Sequence, residues 1–274
     1  MIRRLLLLLG SIIFFVIEQL KSPLQYLIGK EESSTCVVFY YHGINERERG
    51  RFVRQMDELL KWCKPVRLDT PCVFAERDRL AAVTFDDGLV SIVENALPEL
   101  DIRNIPSAVF VPVSCLGQYP EWLSSPDKQK ERILSAEELR KLDGKMVTIG
   151  SHCMSHRKLT ELENDQAKDE IVKSKKELEN ILNRPVTLLS FPFGSFNSRH
   201  MAYAREAGYT HVLSILPALA QIDSGEYVIG RVKADPSDWQ IEFRLKLLGC
   251  YRWFPWALDL KSRVKRIVKR QSID

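Results

Sequence analysis

Residues 80–88, LAAVTFDDG, decide how this chain folds. An apolar run of strand length stops at two adjacent carboxylates, Asp86 and Asp87, and Gly88 follows at once. Continuous apolar runs of this length, bounded by a turn signal, read as strands buried on both faces. Working outward, CVVFYYHGI (36–44) is an earlier strand and RFVRQMDELLKWC (51–63) a helix with Phe52, Met56, Leu59 and Leu60 on one face. Downstream, a helix runs to about 101 and is broken late by Pro98, and PSAVFVPVS (106–114) is the next strand. Ser135 with Glu138 makes a capping box for a short helix to about 143, and KMVTIGSH (145–152) resumes strand character. Thr160 with Glu163 opens the longest helix, which ends before Pro185; VTLLSFPFG (186–194) is another strand. A helix from Ser198 to Ala207 is stopped by Gly208, and THVLSI and YVIGRVKA are the last strands. Strands alternating with helices specify an α/β fold with a parallel sheet or barrel. The expected organisation is one catalytic domain over 35–240, with extensions at 1–34 and 241–274.

At 274 residues and 45% hydrophobic content the chain can bury a full core, which excludes disorder for most of it. Lys plus Arg number 40 against 36 Asp plus Glu, and a net charge of +4 does not argue for nucleic acid. The ends differ from the middle. Arg3 and Arg4 precede LLLLLGSIIFFVI (5–17), after which Glu18 and Lys21 interrupt the run. Spanning a bilayer needs about 20 apolar residues, and no Ala-x-Ala cleavage site follows. The reading is an uncleaved anchor or an interfacial helix. KSRVKRIVKR (261–270) carries six basic side chains and no acid, just after the aromatic cluster YRWFPW (251–256), and reads as a basic amphipathic tail. Both ends point to a membrane surface, with the cytoplasmic face of an inner membrane favoured and a secreted or periplasmic place left open. The six cysteines are scattered without a Cys-x-x-Cys pair and do not indicate structural disulfides.

In a parallel α/β fold, functional residues collect where strands end at their carboxyl side. His42 follows VVFYY, Asp86 and Asp87 follow AAVTF, His152 and His156 follow MVTIG, and the PFG of 192–194 follows VTLLS. Four strands deliver these groups to one rim. Two neutral imidazoles plus a carboxylate suit a divalent transition metal, zinc foremost, and leave positions open for water and substrate. That answers the double aspartate. If Asp87 joins the histidines as a ligand, Asp86 stands beside the open position and can take a proton from bound water, whose pKa a metal lowers from about 15.7 to about 7. Without a cation the two carboxylates would repel.

TFDDG (84–88), SHCMSH (151–156), FPFG (191–194) and DPSDW (235–239), in this order, resemble the motifs of the polysaccharide deacetylases, the NodB-homology or carbohydrate esterase family 4 proteins. The resemblance covers roughly 36–240. It implies a distorted (β/α)7 barrel, a metal held by Asp87, His152 and His156, Asp86 as general base, and removal of an N-acyl group, usually acetyl, from an amino sugar. It also implies oxyanion stabilisation by a backbone N–H near Phe193, beside Pro192. Given the membrane signals, the expected partner is an N-acylated glycan or its lipid-linked precursor.

The chain departs from the family pattern in three ways. The Arg that commonly precedes the third motif's proline by two is Ser190 here, and after His211 there is no histidine for the family's late general acid. Circularly permuted members take that acid from an early Tyr-His element resembling FYYHG, so His42 is the candidate, with Asp235 or Asp238 as the carboxylate that keeps it charged. Third, the connection over 112–135 is longer than a barrel needs, and its Trp122 either stacks on a sugar or packs. Trp239 closes the fourth motif and is a further substrate-contact candidate. The competing reading is a catalytically silent glycan-binding or scaffolding member. Retention of Asp86 beside an intact Asp-His-His set argues against it. A two-His peptidase would need His-Glu-x-x-His, which the chain lacks.

Overall fold

A computed structural model describes residues 2–27, 35–69, 78–123, 131–142, 144, 146–220, 227–255 and 257. The basic tail at 261–270 and part of the 112–135 connection lie outside the described residues. The sheet is assembled from β1 (Thr35–Tyr41), β3 (Arg79–Phe85), β4 (Ser107–Val111), β5 (Val147–Ser151), β6 (Leu188–Ser190) and β7 (His211–Leu213), paired in that order and all parallel. One extended stretch then closes it. β9 (Val228–Ile229) pairs with β7, and β10 (Val232–Lys233), only two residues on, pairs with β1. The two edges of the sheet are thus joined through Gly230 and Arg231, giving a nearly closed barrel with seven staves. Below this closure the edges are finished by two short strands. β2 (Lys64–Pro65) lies along the start of β3, and β8 (Leu219–Ala220) runs antiparallel along the start of β1. This is the parallel α/β barrel the strand and helix pattern predicts, in the distorted (β/α)7 form the family resemblance implies.

Strand side chains alternate between two environments, as a period of two requires. Cys36, Val38, Leu80, Ala82, Ala108, Phe110, Leu188 and Leu213 fill the barrel interior. Val37, Phe39, Val83, Phe85, Val109 and Ile149 face outward and are covered by helices. The principal covers are α2 (Glu46–Trp62), α3 (Leu97–Ile102), α4 (Ala136–Lys141), α5 (Asn164–Leu182), α6 (Ser198–Glu206) and α7 (Gln240–Leu247). Asn45 caps α2 with Glu48 in a reciprocal box, and Ser135 with Glu138 does the same for α4, as its sequence predicts.

Three sequence expectations need adjustment. Thr160 does not cap the long helix; its N–H and hydroxyl are tied to Ser195 Oγ (3.3 and 2.6 Å), residues 159–161 make a 3-10 turn, and α5 starts at Asn164. Pro98 does not break its helix, because a π turn over Ile92–Ala96 precedes it and Pro98 falls in the first turn of α3, where a missing N–H is harmless. Packing also continues past 240, since Phe243 of α7 stacks on Phe39 at 5.1 Å. At the other end, α1 (Ile2–Leu27) extends through Glu18 and Lys21, and no described helix is long and apolar enough to cross a membrane.

Candidate active site

Every strand of the barrel runs the same way, apart from β8, so their carboxyl ends form one rim. β3 delivers the double aspartate there. Asp87 adopts a left-handed backbone (φ 69°), as does Gly88 (φ 66°), where any Cβ would meet Val111 Cγ1 at 2.5 Å. The glycine is therefore required by both conformation and space. β5 delivers His152, and His156 follows after a turn with Cys153 and His156 itself at positive φ. Strained backbone at three residues of one site is a cost that the surrounding packing must hold in place. Part of that hold comes from Glu170 on α5. Its carboxylate accepts the N–H groups of Met154 (3.0 Å) and Ser155 (2.8 Å) and the Ser155 hydroxyl, pinning the turn between the two histidines.

Asp87, His152 and His156 each offer a ligand atom within 4.8 Å of the others, and all three are buried. Asp87 Oδ1 lies 3.1 Å from His156 Nε2 and 3.9 Å from His152 Nε2. The arrangement fits a divalent metal on two counts. Asp87 Oδ2 and His156 Nδ1 are buried without a hydrogen-bond partner, which is costly unless another group meets them. His152 Nδ1 sits 2.7 Å from the Ser190 carbonyl, so that nitrogen carries the proton and Nε2 presents its lone pair, the orientation metal-binding imidazoles need. Burial pushes the His152 pKa down to about 4, which keeps the ring neutral near pH 7. Burial alone would raise the Asp87 pKa, but the His156 hydrogen bond and the three nearby histidines outweigh it and lower it.

Asp86 lies next to this cluster on the interior face, and its partner was not foreseen from the motifs. Arg231, fully buried on the barrel axis between β9 and β10, grips both carboxylate oxygens, Nη1 to Oδ1 at 2.7 Å and Nη2 to Oδ2 at 2.9 Å. The guanidinium's remaining donors reach Thr84 Oγ1 (3.1 Å), Ser190 Oγ (2.7 Å) and the Ser214 carbonyl (3.2 Å). All five of its N–H groups are satisfied. The cation also lies over the rings of Tyr40 (4.8 Å) and Phe110 (5.5 Å). Desolvation would raise the Asp86 pKa, yet Arg231, followed by His152 and His42, holds it well below the usual carboxylate range. Ser190, standing where the family's arginine is expected, thus helps to bind an arginine supplied from another strand. One signal in the sequence pointed to it. Arg231 shares its strand face with Ile229, and a charged residue at a core-facing strand position needs a buried partner.

The structure places the other candidates as follows. His42, about one third exposed, follows β1 with Nε2 4.0 Å from Asp87 Oδ2. Its loop is held by Ser91 Oγ, which accepts the Ile44 N–H, and by Asn95, which donates to the Ile44 carbonyl. Trp122 packs on the metal set: its ring stacks on His156 at 4.0 Å and its N–H reaches Asp87 Oδ1 at 3.3 Å. Pro192 is buried, while Phe193, at φ 57° and half exposed, puts its ring edge-on to His156 at 4.7 Å. Asp238 is occupied by Lys246 (2.6 Å) and by the Asp235 N–H (3.0 Å). Asp235 accepts the N–H and hydroxyl of Ser237. Trp239 carries the Arg4 guanidinium over its ring at 4.4 Å and joins the domain to α1. Beside the metal set, His156, Lys158, Glu161, Leu162 and Phe193 line an open cavity of about 340 Å³, large enough for one sugar unit.

A family model described as polysaccharide deacetylase matches residues 75–212, a span that includes the Asp-Asp, His-x-x-x-His and Phe-Pro-Phe-Gly segments. The Bacillus subtilis (strain 168) protein YxkH, assigned by name to the polysaccharide deacetylases, is 25% identical over 159 residues, or 58% of this chain. The chain spans about half the length of that relative (53%). Among solved structures, IcaB from Ammonifex degensii superimposes with a TM-score of 0.64 at 21% identity, covering 78% of this chain and 99% of its own. The Streptococcus pyogenes deacetylase PplD, solved in complex with acetate, gives 0.61 at 16% identity over 74% of this chain and 93% of its own. At these identities the two structures establish a shared fold.

Proposed function

The chain belongs to the polysaccharide deacetylase family, and from that premise we propose that it hydrolyses the N-acetyl amide of an amino sugar in a cell-surface polysaccharide or its lipid-linked precursor. The observation that carries this reading is the meeting of a buried Asp-His-His set with a second carboxylate that has its own dedicated cation. A set with orphaned buried donor atoms suits a divalent ion, and zinc is the ion its chemistry favours. Such an ion supplies a Lewis acid and a water acidic enough to react near neutral pH. Asp87, His152 and His156 would hold it.

The remaining steps belong to the protein. Asp86 accepts the proton of the attacking water, and Arg231 keeps that carboxylate ionised and aimed while the reaction waits for substrate. The backbone of the 192–194 turn, beside Phe193, faces the oxyanion as the amide carbon becomes tetrahedral. His42 returns a proton to the departing amine as the C–N bond breaks, giving acetate and a free amino sugar. Of the two fourth-motif carboxylates, Asp238 is committed to Lys246 and Asp235 accepts the N–H and hydroxyl of Ser237; Asp235 is the one proposed to support His42. Trp122 and Phe193 form the walls between which the acyl group enters.

The test pairs metal analysis with amine release from N-acetylated oligosaccharides and glycolipids. Asp86→Asn abolishes turnover and keeps the metal, whereas Asp87→Ala and His156→Ala lose the metal itself. Equal metal loss in all three variants overturns the assigned roles. A metal-replete wild type that releases no amine from any such substrate overturns the reaction and leaves a glycan-binding protein.

A further inference from the structure

α1 packs Leu7, Leu8, Phe14 and Phe15 against the domain together with its few polar side chains, and leaves a second apolar side outward. Toward the domain it presents Arg4, paired with Glu242 and donating to the Ser237 carbonyl (2.8 Å), and the fully buried Ser11, whose Oγ accepts the Trp253 N–H at 3.0 Å. Glu18 meets Arg252 further along. On the opposite side, nine large aliphatic side chains between Ile2 and Leu20 are 39–76% exposed, among them Leu6, Leu9, Ile13 and Val16. At 3.6 residues per turn all nine fall within an arc of roughly 140°, along about 27 Å of helix. A helix on the surface of a water-soluble domain keeps its outer face polar, and exposed aliphatic stripes of this extent mark interaction sites.

We propose that this stripe lies in the plane of a lipid surface bearing anionic headgroups, and that α1 thereby fixes the catalytic rim at that surface. Four observations select lipid as the occupant. The stripe carries no acidic side chain, and the exposed cations Arg3 and Lys21, the latter 3.3 Å from Glu18, fall on one and the same edge of it, about 110° from its centre, where headgroups would sit. Pairing two copies antiparallel along the stripe would bring those cations against one another. No described helix, α1 included, is long and apolar enough to cross a membrane. Finally, the six basic residues of 261–270 follow shortly after Trp253, whose ring packs against Gly10 so closely that a Cβ there would meet it at 2.4 Å. The second cationic segment thus follows, in sequence, a residue packed on this helix. The Arg4 contacts with Ser237 and Trp239 join α1 to the motif that follows β10 at the barrel's carboxyl rim. This inference rests on the helix and stands whether or not the catalytic assignment does.

The full chain is to be sedimented with vesicles of phosphatidylcholine alone and with 30% phosphatidylglycerol. Wild type partitions onto the anionic vesicles at least tenfold more strongly, and Leu6→Ser, Leu9→Ser and Ile13→Ser together lower that partitioning at least tenfold while the urea midpoint is kept. Deleting 258–274 weakens binding to anionic vesicles without abolishing it. Should the triple variant unfold, an environment-sensitive dye on Leu9→Cys reports instead: blue-shifted emission, quenched by brominated lipid, is expected, and emission unchanged by vesicles refutes insertion. Wild type remaining in the supernatant, a triple variant that binds like wild type, binding lost entirely on deletion of the tail, or a dimer that the triple variant dissociates would each overturn the proposal, the last in favour of a second copy.

Discussion

Replacing Arg231 by Met removes the cation from the barrel axis while keeping most of its volume. Both oxygens of Asp86 then lose their strongest partner, in a position only 3% exposed. Breaking a buried ion pair by deleting one member typically costs about 3–5 kcal/mol. The loss has a ceiling, because Asp86 can take a proton instead. Protonating a carboxyl of ordinary pKa about 3.9 at pH 7 costs about 4 kcal/mol, so destabilisation near pH 7 should reach roughly that value and not far exceed it. The pH dependence separates this from simple loss of packing. In wild type Asp86 has a folded pKa below its unfolded one, so its contribution is constant above about pH 4. In the variant, burial without Arg231 places the folded pKa above the unfolded one, and stability falls as pH rises between the two. The difference between the proteins should therefore grow with pH by up to about 1.4 kcal/mol per unit between pH 5 and 7. Urea unfolding of metal-stripped samples measures it. Turnover of the metal-loaded variant should drop by roughly 10²–10⁴ near neutrality and partly recover at higher pH as Asp86 ionises. A small, pH-independent stability change with normal turnover would show that Arg231 is only filling space.

His42→Ala should lower kcat by roughly 10²-fold or more with metal content unchanged, since the ring lies beside the ligand set without belonging to it; an unaltered rate removes it from the reaction. Glu170→Ala removes the acceptor of the Met154 and Ser155 N–H groups, so the 153–156 turn should loosen and metal affinity fall roughly tenfold in a chelator-competition titration. Unchanged affinity there would mean the turn is held by its other contacts. In the metal-free protein, His152 has its pKa pushed down to about 4 from an ordinary 6.5, so the unfolded chain binds the extra proton first. Stability should accordingly decline as pH falls from about 6.5 toward 4, by at most about 3 kcal/mol from this group. A flat stability profile over that window refutes a neutral, buried His152. Gly88→Ala should cost more than about 1 kcal/mol, from its positive φ and the Val111 contact, and a wild-type urea midpoint would contradict that geometry.

The alternation of apolar runs and helical faces made most of the barrel legible, because burying strands on both faces leaves little choice of residue. The same rule located the rim, since Asp87, His152 and His156 each stand just past a strand end and the strands are parallel. What stayed hidden depended on contacts between distant segments. Thr160 carries a sound local capping signal, but Ser195, brought in by a different strand, offered its hydroxyl a better partner. Trp122 lies on a connection whose sequence does not say where it folds back, so its stacking on His156 could only be seen in three dimensions. The 5–17 stretch read as one apolar run; that Ser11 within it and Arg4 and Glu18 at its ends turn toward the protein, while a full aliphatic stripe faces out, is visible only in the fold.

Arg231 shows why a motif read in one dimension can report a loss that the fold does not suffer. What Asp86 requires is a cation on the barrel interior within hydrogen-bond reach, and a closed sheet offers that point to every strand at once. β6 reaches it through Ser190, and the β9–β10 stave reaches it from the far edge of the sheet, because the closure brings that edge back beside β1 and β3. With Ser190 short, the interior has room for the longer guanidinium from the opposite side, and the serine hydroxyl becomes one of its acceptors at 2.7 Å. Enlarging Ser190 is therefore the converse experiment. Ser190→Arg should place two cations against one carboxylate and destabilise the protein by several kcal/mol, whereas Ser190→Arg combined with Arg231→Ser restores a single cation from the other stave. If the double variant recovers stability and turnover over Ser190→Arg alone, the requirement lies in the position of the charge; if it is no better, the barrel interior is committed to this arginine alone.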